Sequence, residues 1–231
     1  MASVVSVVRR VARAARFARY DHRTVFDHIF KTRYWGDDES LSGLGSSMAQ
    51  TANIRRELPL IMTRFGIHSV FDAPCGDLHW MRDVLAQTDF KYIGADVVPG
   101  VVDLARSAAP RGNVDFKVFD IVTDPFPRAD LWLCRDVLFH LSNSNIFQAL
   151  NNFAKSEVNY LLVTSHTGLN FVNRNMITGD FRQLNLLKPP YALPENAILH
   201  RFADYAAPQP ARDMLLFRRQ DIADSLVNRT F

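Results

Sequence analysis

FDAPCGDLHW, residues 71–80, is the stretch on which the reading of this chain turns. Ser69-Val70-Phe71 has the apolar, β-branched character of a buried strand, and it runs straight into an acid, Asp72. A glycine-rich turn after a first strand lets backbone approach a bound ligand closely. Here Pro74 stands in the first glycine position and Leu78 in the last, so only Gly76 remains. The turn is either a ligand loop of unusual composition or an ordinary strand-to-helix connection, and its surroundings decide which.

Downstream of residue 69, strand and helix signals alternate. SVFDA is read as strand one, KYIGADV as strand two, VDFKVFD as strand three, ADLWLCRD as strand four and NYLLVTS as strand five. Helical periodicity appears in HWMRDVLAQ, near GVVDLARSA and from Asn143 to Lys155. Short apolar strands with helical crossovers imply a mostly parallel sheet covered on both faces. AILHRFAD and DMLLFRR, with only the proline-rich AAPQPA between them, predict a closing antiparallel hairpin, which brings the sheet to seven strands. Upstream, helices are expected over Asp21–Arg33 and Met48–Phe65, with Gly66 ending the second. Between them lies the polar loop YWGDDESLSGLGSS, residues 34–47.

In an open parallel sheet, ligands sit outside the carboxyl ends of the strands. Asp72, Asp96, Asp120 and the pair Arg135-Asp136 end strands one to four, and Ser165-His166 end strand five. Any single Asp reads equally well as a helix cap. Acids closing four successive strands read better as a ligand edge. Asp96 lies 24 residues beyond Asp72, the spacing at which a carboxylate accepts both hydrogen bonds of a ribose diol. Asp120, with Ile121 beside it, has the chemistry to accept from the exocyclic amine of adenine while the aliphatic neighbour packs on the ring.

FDAPCGD, YIGADVV, VFDIVTDPFP and ADLWLCRDVLFHL, in this order and spacing, resemble the successive motifs of class I S-adenosylmethionine-dependent methyltransferases. The resemblance covers roughly residues 50–220 and implies a Rossmann-like sheet with a reversed C-terminal strand hairpin. The PCGD turn, with YWGDDESLSGLGSS before it and FRQLNLLKPPYALPE after it, is similar to a bacterial subgroup linked to glycan modification. Carried over by motif, the resemblance implies S-adenosylmethionine as cofactor. Asp72 would contact the methionine amino group, and Pro74, Cys75 and Gly76 would line the methionine arm. Asp96 and Val97 would meet the ribose, and Asp120-Ile121 the adenine. Arg135 joins this set, as do Trp35, Ser42 and Gly43 from a lid-like loop. The chain departs from the family pattern in lacking two of the usual glycines. S-adenosylmethionine has no pyrophosphate to cradle, which makes PCGD more compatible with a methyl donor than with NAD.

The acceptor side is less determined. A hydroxyl acceptor needs a base, and His140, one helical turn from Asp136 in RDVLFHLS, is a candidate together with His166. The alternatives for both histidines are a structural role and substrate binding. His79 is expected to pack against the first helix after the turn, and Cys75 has no evident partner that would make it a nucleophile. The insert from His166 to Asn196 carries Asn170, Asn173, Arg174, Asn175 and Arg182, groups suited to a polyhydroxylated acceptor. PPY in KPPYALP follows strand five instead of strand four, so it is not the motif of amino-directed nucleic-acid methyltransferases.

Composition bounds the rest. The 231 residues suit a basic amphipathic leader (1–20), N-terminal helices with a lid loop (21–66) and a core (67–231) carrying the insert 166–196. Five arginines and no acid lie in the first 20 residues; without them 22 basic residues face 24 acidic ones, so nucleic acid is not an expected partner. The leader is compatible with a peripheral membrane contact, a transit peptide or a disordered end. Two cysteines outside any metal-type spacing imply a reducing, cytoplasmic setting, and no metal is expected. The expectation is a methyltransferase acting on a small-molecule or carbohydrate acceptor, most simply at oxygen. A non-catalytic protein that binds the cofactor or a partner on the same fold is the alternative.

Overall fold

The computed structural model describes residues 17, 19–36, 38–110, 112–168 and 171–227. Apart from Phe17, Arg19 and Tyr20, the basic leader therefore lies outside the described residues, as does Asn170. A seven-stranded sheet organises the chain, in the order β3-β2-β1-β4-β5-β7-β6. The strands are β1 (Ser69–Asp72), β2 (Lys91–Asp96), β3 (Val114–Val118), β4 (Leu131–Cys134), β5 (Tyr160–His166), β6 (His200–Ala203) and β7 (Arg212–Arg218). The first five pair in parallel. β7 runs antiparallel to both β5 and β6, so β7 alone is reversed.

Side chains alternate across the sheet with the period of two that strands impose. On β1, Val70 joins one apolar cluster and Phe71 the other. The Val70 face is covered by α2 (Ala52–Phe65), α3 (Met81–Gln87) and α4 (Pro99–Ala108), through Ile54, Leu58, Met81, Val84, Val102 and Ala105. The Phe71 face is covered by α5 (Asn143–Ala154) and α6 (Arg219–Val227), through Ile146, Leu150, Phe153, Ile222 and Leu226. Local chemistry sets the helix ends. The Ser142 side chain accepts from the Asn145 N–H to start α5, and Gly66, at φ 64°, closes α2 in the left-handed conformation.

Two expectations need correcting. The second helix begins at Ala52, not Met48, because Gln50 is used elsewhere. Its amide accepts from the Ala206 N–H and donates to the Ala206 carbonyl, both at 2.9 Å, tying this segment to the β6–β7 connection. The insert 166–196 is more than a cap: Leu184, Leu186, Tyr191 and Leu193 are buried in the main core. His166 N–H donates to the Leu184 carbonyl at 2.7 Å, and Ser165 Oγ accepts from the Leu186 N–H at 3.0 Å. Helix α6, over Arg219–Val227, follows the last strand and was not anticipated.

The central strands carry the stability. Leu162 on β5 is fully buried between the sheet and the α2–α4 layer. Leu162→Ala is expected to lower the unfolding free energy by about 2–5 kcal/mol, read as a shift in the urea midpoint with an unchanged slope.

Candidate active site

The turn after β1 is bonded to both neighbouring strands. Ala73 N–H donates to the Leu133 carbonyl at 3.1 Å on one side, and Cys75 N–H donates to the Ala95 carbonyl at 2.8 Å on the other. Trp132 Nε1–H adds a bond to the Ala73 carbonyl at 2.9 Å. Leu78 stands where a glycine was expected, yet the backbone keeps the left-handed conformation there, at φ 62°. Burial of its side chain in the α2–α4 core holds it against that strain.

The turn floors a cleft of about 890 Å³, partly open to solvent, at the carboxyl ends of β1, β2 and β4. This is where the strand order reverses, the topological switch point of the sheet. Of the sequence-predicted residues, Asp72, Pro74, Cys75, Gly76, Asp96, Val97, Arg135, Asp136, His140, Trp35 and Ser42 line it. Asp120 and Ile121 line a smaller adjoining cavity of about 330 Å³, which shares Pro74, Asp96 and Val97 with the first.

Asp72 and Asp96 are buried, and no Lys or Arg lies within ion-pair distance of either among the described residues. Burial pushes Asp72 up to about 7, against a hydrogen bond from Tyr92 Oη at 2.7 Å. Burial likewise pushes Asp96 up to about 6, against backbone N–H bonds including one from Val98 at 3.0 Å. A shift of that size at Asp72 is worth on the order of 4 kcal/mol, which a cationic ligand would recover. Cys75 is a buried thiol, its pKa pushed well up by burial, and it has no nucleophilic character.

Several residues do something other than expected. Gly43, at φ 93°, does not reach the cleft; a Cβ there would lie 2.8 Å from the Trp35 carbonyl, so the glycine lets the loop fold against Trp35. The Asp120 carboxylate is engaged by the N-terminal helix α1 (His22–Lys31). Its Oδ2 meets His22 Nε2 at 2.6 Å and Arg23 Nε at 2.7 Å. Burial raises its pKa, but those bonds outweigh burial and hold the carboxyl well below the usual range. Arg135 lines the cleft with its charge occupied: Nε donates to Asp204 at 2.7 Å and Nη1 to the Gly45 carbonyl at 2.9 Å. His79 sits near Glu39 of the lid loop, at 3.4 Å.

The two candidate bases separate clearly. His166 is 2% exposed, does not line the cleft, and its Nδ1 accepts from the Leu184 N–H at 3.2 Å. It is a structural histidine that secures the insert. His140 lines the cleft, with Trp35 stacked on it at 4.2 Å. Its Nδ1 lies 2.8 Å from the Asp180 carbonyl, which only accepts, so Nδ1 carries the proton and Nε2 a lone pair. Burial pulls its pKa down to about 4, so the ring is neutral at pH 7. Asp136, at φ 54°, is held by Thr164 Oγ1 at 3.0 Å and Arg212 Nη2 at 3.0 Å. Burial raises its pKa, but the charges of Arg135 and Arg212 outweigh this and keep it ionised.

The insert's polar groups are mostly used internally. Asn173 is buried and bonds the Asn185, Lys188 and Pro189 carbonyls. Asn175 Oδ1 accepts from the Asn143 N–H, and Arg182 donates to Tyr191 Oη. Sequence reasoning missed α1 as part of the site: Phe26, Ile29 and Phe30 line the cleft, with Leu41, Ser46 and Trp80. The available signal was the i, i+3, i+4 spacing of those apolar residues in α1.

The sheet order, with the reversed strand between β5 and β6, is the Rossmann-like arrangement of methyltransferases. Magnesium protoporphyrin IX methyltransferase from Synechocystis PCC 6803, solved with bound S-adenosylhomocysteine, superposes with a TM-score of 0.61 at 14% identity, over 85% of this chain and 97% of that one. N-methyltransferase NodS from Bradyrhizobium japonicum WM9 gives 0.55 at 13% identity, over 76% and 98%. The methyltransferase domain of bacterial CtHen1-CN gives 0.55 at 16% identity, over 72% and 98%. By sequence, the family described as "Methyltransferase domain" matches residues 70–156, the segment from β1 through α5 that holds the turn and the strand-end acids. No curated protein matches the chain. The cofactor implied by fold and family together is S-adenosylmethionine, and the cleft fits it: two buried carboxylates outside any ion pair among the described residues would meet a ligand that carries an ammonium and a ribose diol.

A cationic ligand needs Asp72 and Asp96 ionised. Their raised pKa values mean that protons must leave on binding at pH 6–7. S-adenosylhomocysteine affinity is therefore expected to be constant above about pH 7.5. Below pH 7 it should fall as Asp72 protonates, and more steeply below pH 6 as Asp96 follows. Calorimetry across this range in buffers of different ionisation enthalpy reads both the affinity and the proton release.

Proposed function

We propose that the protein is an S-adenosylmethionine-dependent methyltransferase acting on a hydroxyl oxygen of a small-molecule or carbohydrate acceptor. The observation that carries the cofactor half is the pair of buried carboxylates Asp72 and Asp96, neither in an ion pair among the described residues, at the switch point of a methyltransferase fold. The observation that favours oxygen is His140, a cleft-lining neutral imidazole whose Nδ1 proton is fixed by the Asp180 carbonyl, which leaves the lone pair on Nε2. An amine deprotonated before attack needs no such base, whereas a hydroxyl does. Similarity of the PCGD segment to enzymes linked to glycan modification makes a sugar hydroxyl the first acceptor to try. The asparagines of the insert lend this no support, because Asn173 and Asn175 are engaged internally.

The cofactor supplies an activated methyl group on a sulfonium. Asp72 would hold the ammonium and Asp96 the ribose diol, fixing the methyl carbon in line for attack. His140 Nε2 would take the acceptor proton as the new C–O bond forms and the C–S bond breaks. Trp35, stacked on His140, and the apolar residues of α1 would exclude water from the reacting atoms. Asp136, kept ionised by Arg135 and Arg212, would hold its part of the cleft wall in place.

No helix among the described residues is long and apolar enough to cross a membrane. A peripheral membrane contact through residues 1–20 stays a proposal that rests on the arginine pattern alone.

Calorimetry with S-adenosylhomocysteine should show binding in the micromolar range, and silence at high micromolar ligand would overturn the reading. Asp96→Ala should weaken cofactor binding at least tenfold. His140→Ala should leave that affinity within about threefold and lower kcat by about 10²–10⁴, measured by methyl transfer to a panel of sugar and small-molecule alcohols. The opposite ordering would reverse the two roles. With cofactor saturating, kcat should keep its base-competent plateau down to about pH 5, because His140 is protonated only near pH 4.

A further inference from the structure

The last residue of the PCGD turn is the acid that the cleft does not use. Asp77 is absent from the cleft lining, and its carboxylate turns toward the loop before α2. Ser40 Oγ donates to it at 2.9 Å, the Leu41 N–H at 2.8 Å and Ser42 Oγ at 3.2 Å. In return the Asp77 N–H donates to Ser42 Oγ at 3.1 Å. Gly76 makes the approach possible. A Cβ at that position, where φ is 56°, would lie 2.4 Å from Ser42 Oγ, so the glycine is needed by the loop as much as by any ligand. The segment held in this way places Leu41 and Ser42 in the cleft wall, with Trp35 and Ser46 on either side.

A local helix-capping role does not account for this arrangement. The contact from the His79 N–H is long, at 3.4 Å, and the short bonds all come from residues about 35 positions away in sequence. Three loop donors converge on one carboxylate, and only an ionised carboxyl offers acceptors on both oxygens. An amide could keep the Leu41 bond through its oxygen and turn its NH₂ to the serine hydroxyls, which accept as well as donate, but it would lose the charge.

We propose that Asp77 is a positioning residue that clamps loop 40–42 over the cofactor cleft, and that this clamp governs how long the cofactor stays bound. The proposal rests on the S-adenosylmethionine reading of the cleft.

Trp35 and Trp80 both line the cleft, so stopped-flow tryptophan fluorescence can follow S-adenosylhomocysteine binding and release in the full chain. Asp77→Ala is expected to raise the dissociation rate about tenfold or more, given the strength of bonds to a charged group, with the association rate changed less than threefold. Asp77→Asn should move in the same direction, and Ser42→Ala likewise by a smaller factor. Hydrogen exchange supplies the reading that a merely structural role would not move in parallel: the Leu41 amide should exchange faster in Asp77→Ala, and bound ligand should slow it less than in the parent. Dissociation rates within twofold of the parent in folded Asp77→Ala and Ser42→Ala would overturn the proposal. So would an unchanged Leu41 exchange rate. Should Asp77→Ala fail to fold, Ser42→Ala decides by the same two readings, since it removes the two Ser42 bonds and keeps the carboxylate with its bonds from Ser40 and Leu41. A parent protein that binds no S-adenosylhomocysteine would overturn the functional reading itself, whereas a binding parent with unaltered variants would overturn the clamp alone.

Discussion

Everything at the cleft depends on one backbone constraint: the turn after β1 is bonded on one side to β4 and on the other to β2. The Ala73 N–H reaches Leu133 and the Cys75 N–H reaches Ala95, so residues 73–75 bridge the gap where the strand order reverses. Three strand ends are thereby held at a common depth, and Asp72, Asp96 and Arg135-Asp136 converge on one space. The electrostatic character of that space follows from burial. Two carboxylates are desolvated and neither forms an ion pair among the described residues, although the Arg135 charge partly offsets burial at Asp72, which leaves the pocket suited to a positively charged ligand.

The parts of this design that are local in sequence could be read from it. The mostly parallel sheet with its closing antiparallel strands followed from short apolar strands alternating with helical periods, and the strand-end acids followed from their position. What could not be read were pairings across long separations. Asp120 was assigned to adenine from its place at a strand end beside Ile121, and both residues line the adjoining cavity; what could not be read were its bonding partners, His22 and Arg23, 98 and 97 residues away. Gly43 and Gly76 had the composition of ligand-contact glycines, yet a glycine is demanded equally by another loop passing close by, and here that loop is the chain's own. Asn173 looked like an acceptor-binding group because an exposed amide and a buried, fully bonded one have the same letter.

These corrections share a direction. Two acids near the ligand edge, Asp77 and Asp120, hold the N-terminal segment onto the sheet, Asp120 while also lining the adjoining cavity. Asp77 takes the loop ahead of α2 and Asp120 takes α1, so the cover over the cofactor is anchored at both the turn end and the β3 end. Gly100 extends the same contact, since a Cβ there would lie 2.6 Å from the Phe30 ring of α1. The core supplies the floor and the charges, and residues 21–50 supply the walls that exclude water. Neither part makes a site alone.

The contrast between His140 and His166 shows how finely the surroundings decide chemical role. Both rings are pulled down to about 4 by burial, so their protonation states do not distinguish them. Their partners do. The Leu184 N–H occupies the Nδ1 lone pair of His166, which puts its proton on Nε2 and makes the ring a bracket between β5 and the insert. The Asp180 carbonyl does the reverse at His140, taking the Nδ1 proton and leaving Nε2 basic. The same insert therefore performs both operations, with Leu184 locking one imidazole into the fold and Asp180, four residues earlier, orienting the other toward the cleft. A ring that is neutral at pH 7 and fixed in tautomer, but weakened as a base by burial, could take a proton only as the new bond forms. In the proposed reading, the role of His140 would then depend on the insert's backbone as much as on the ring it holds.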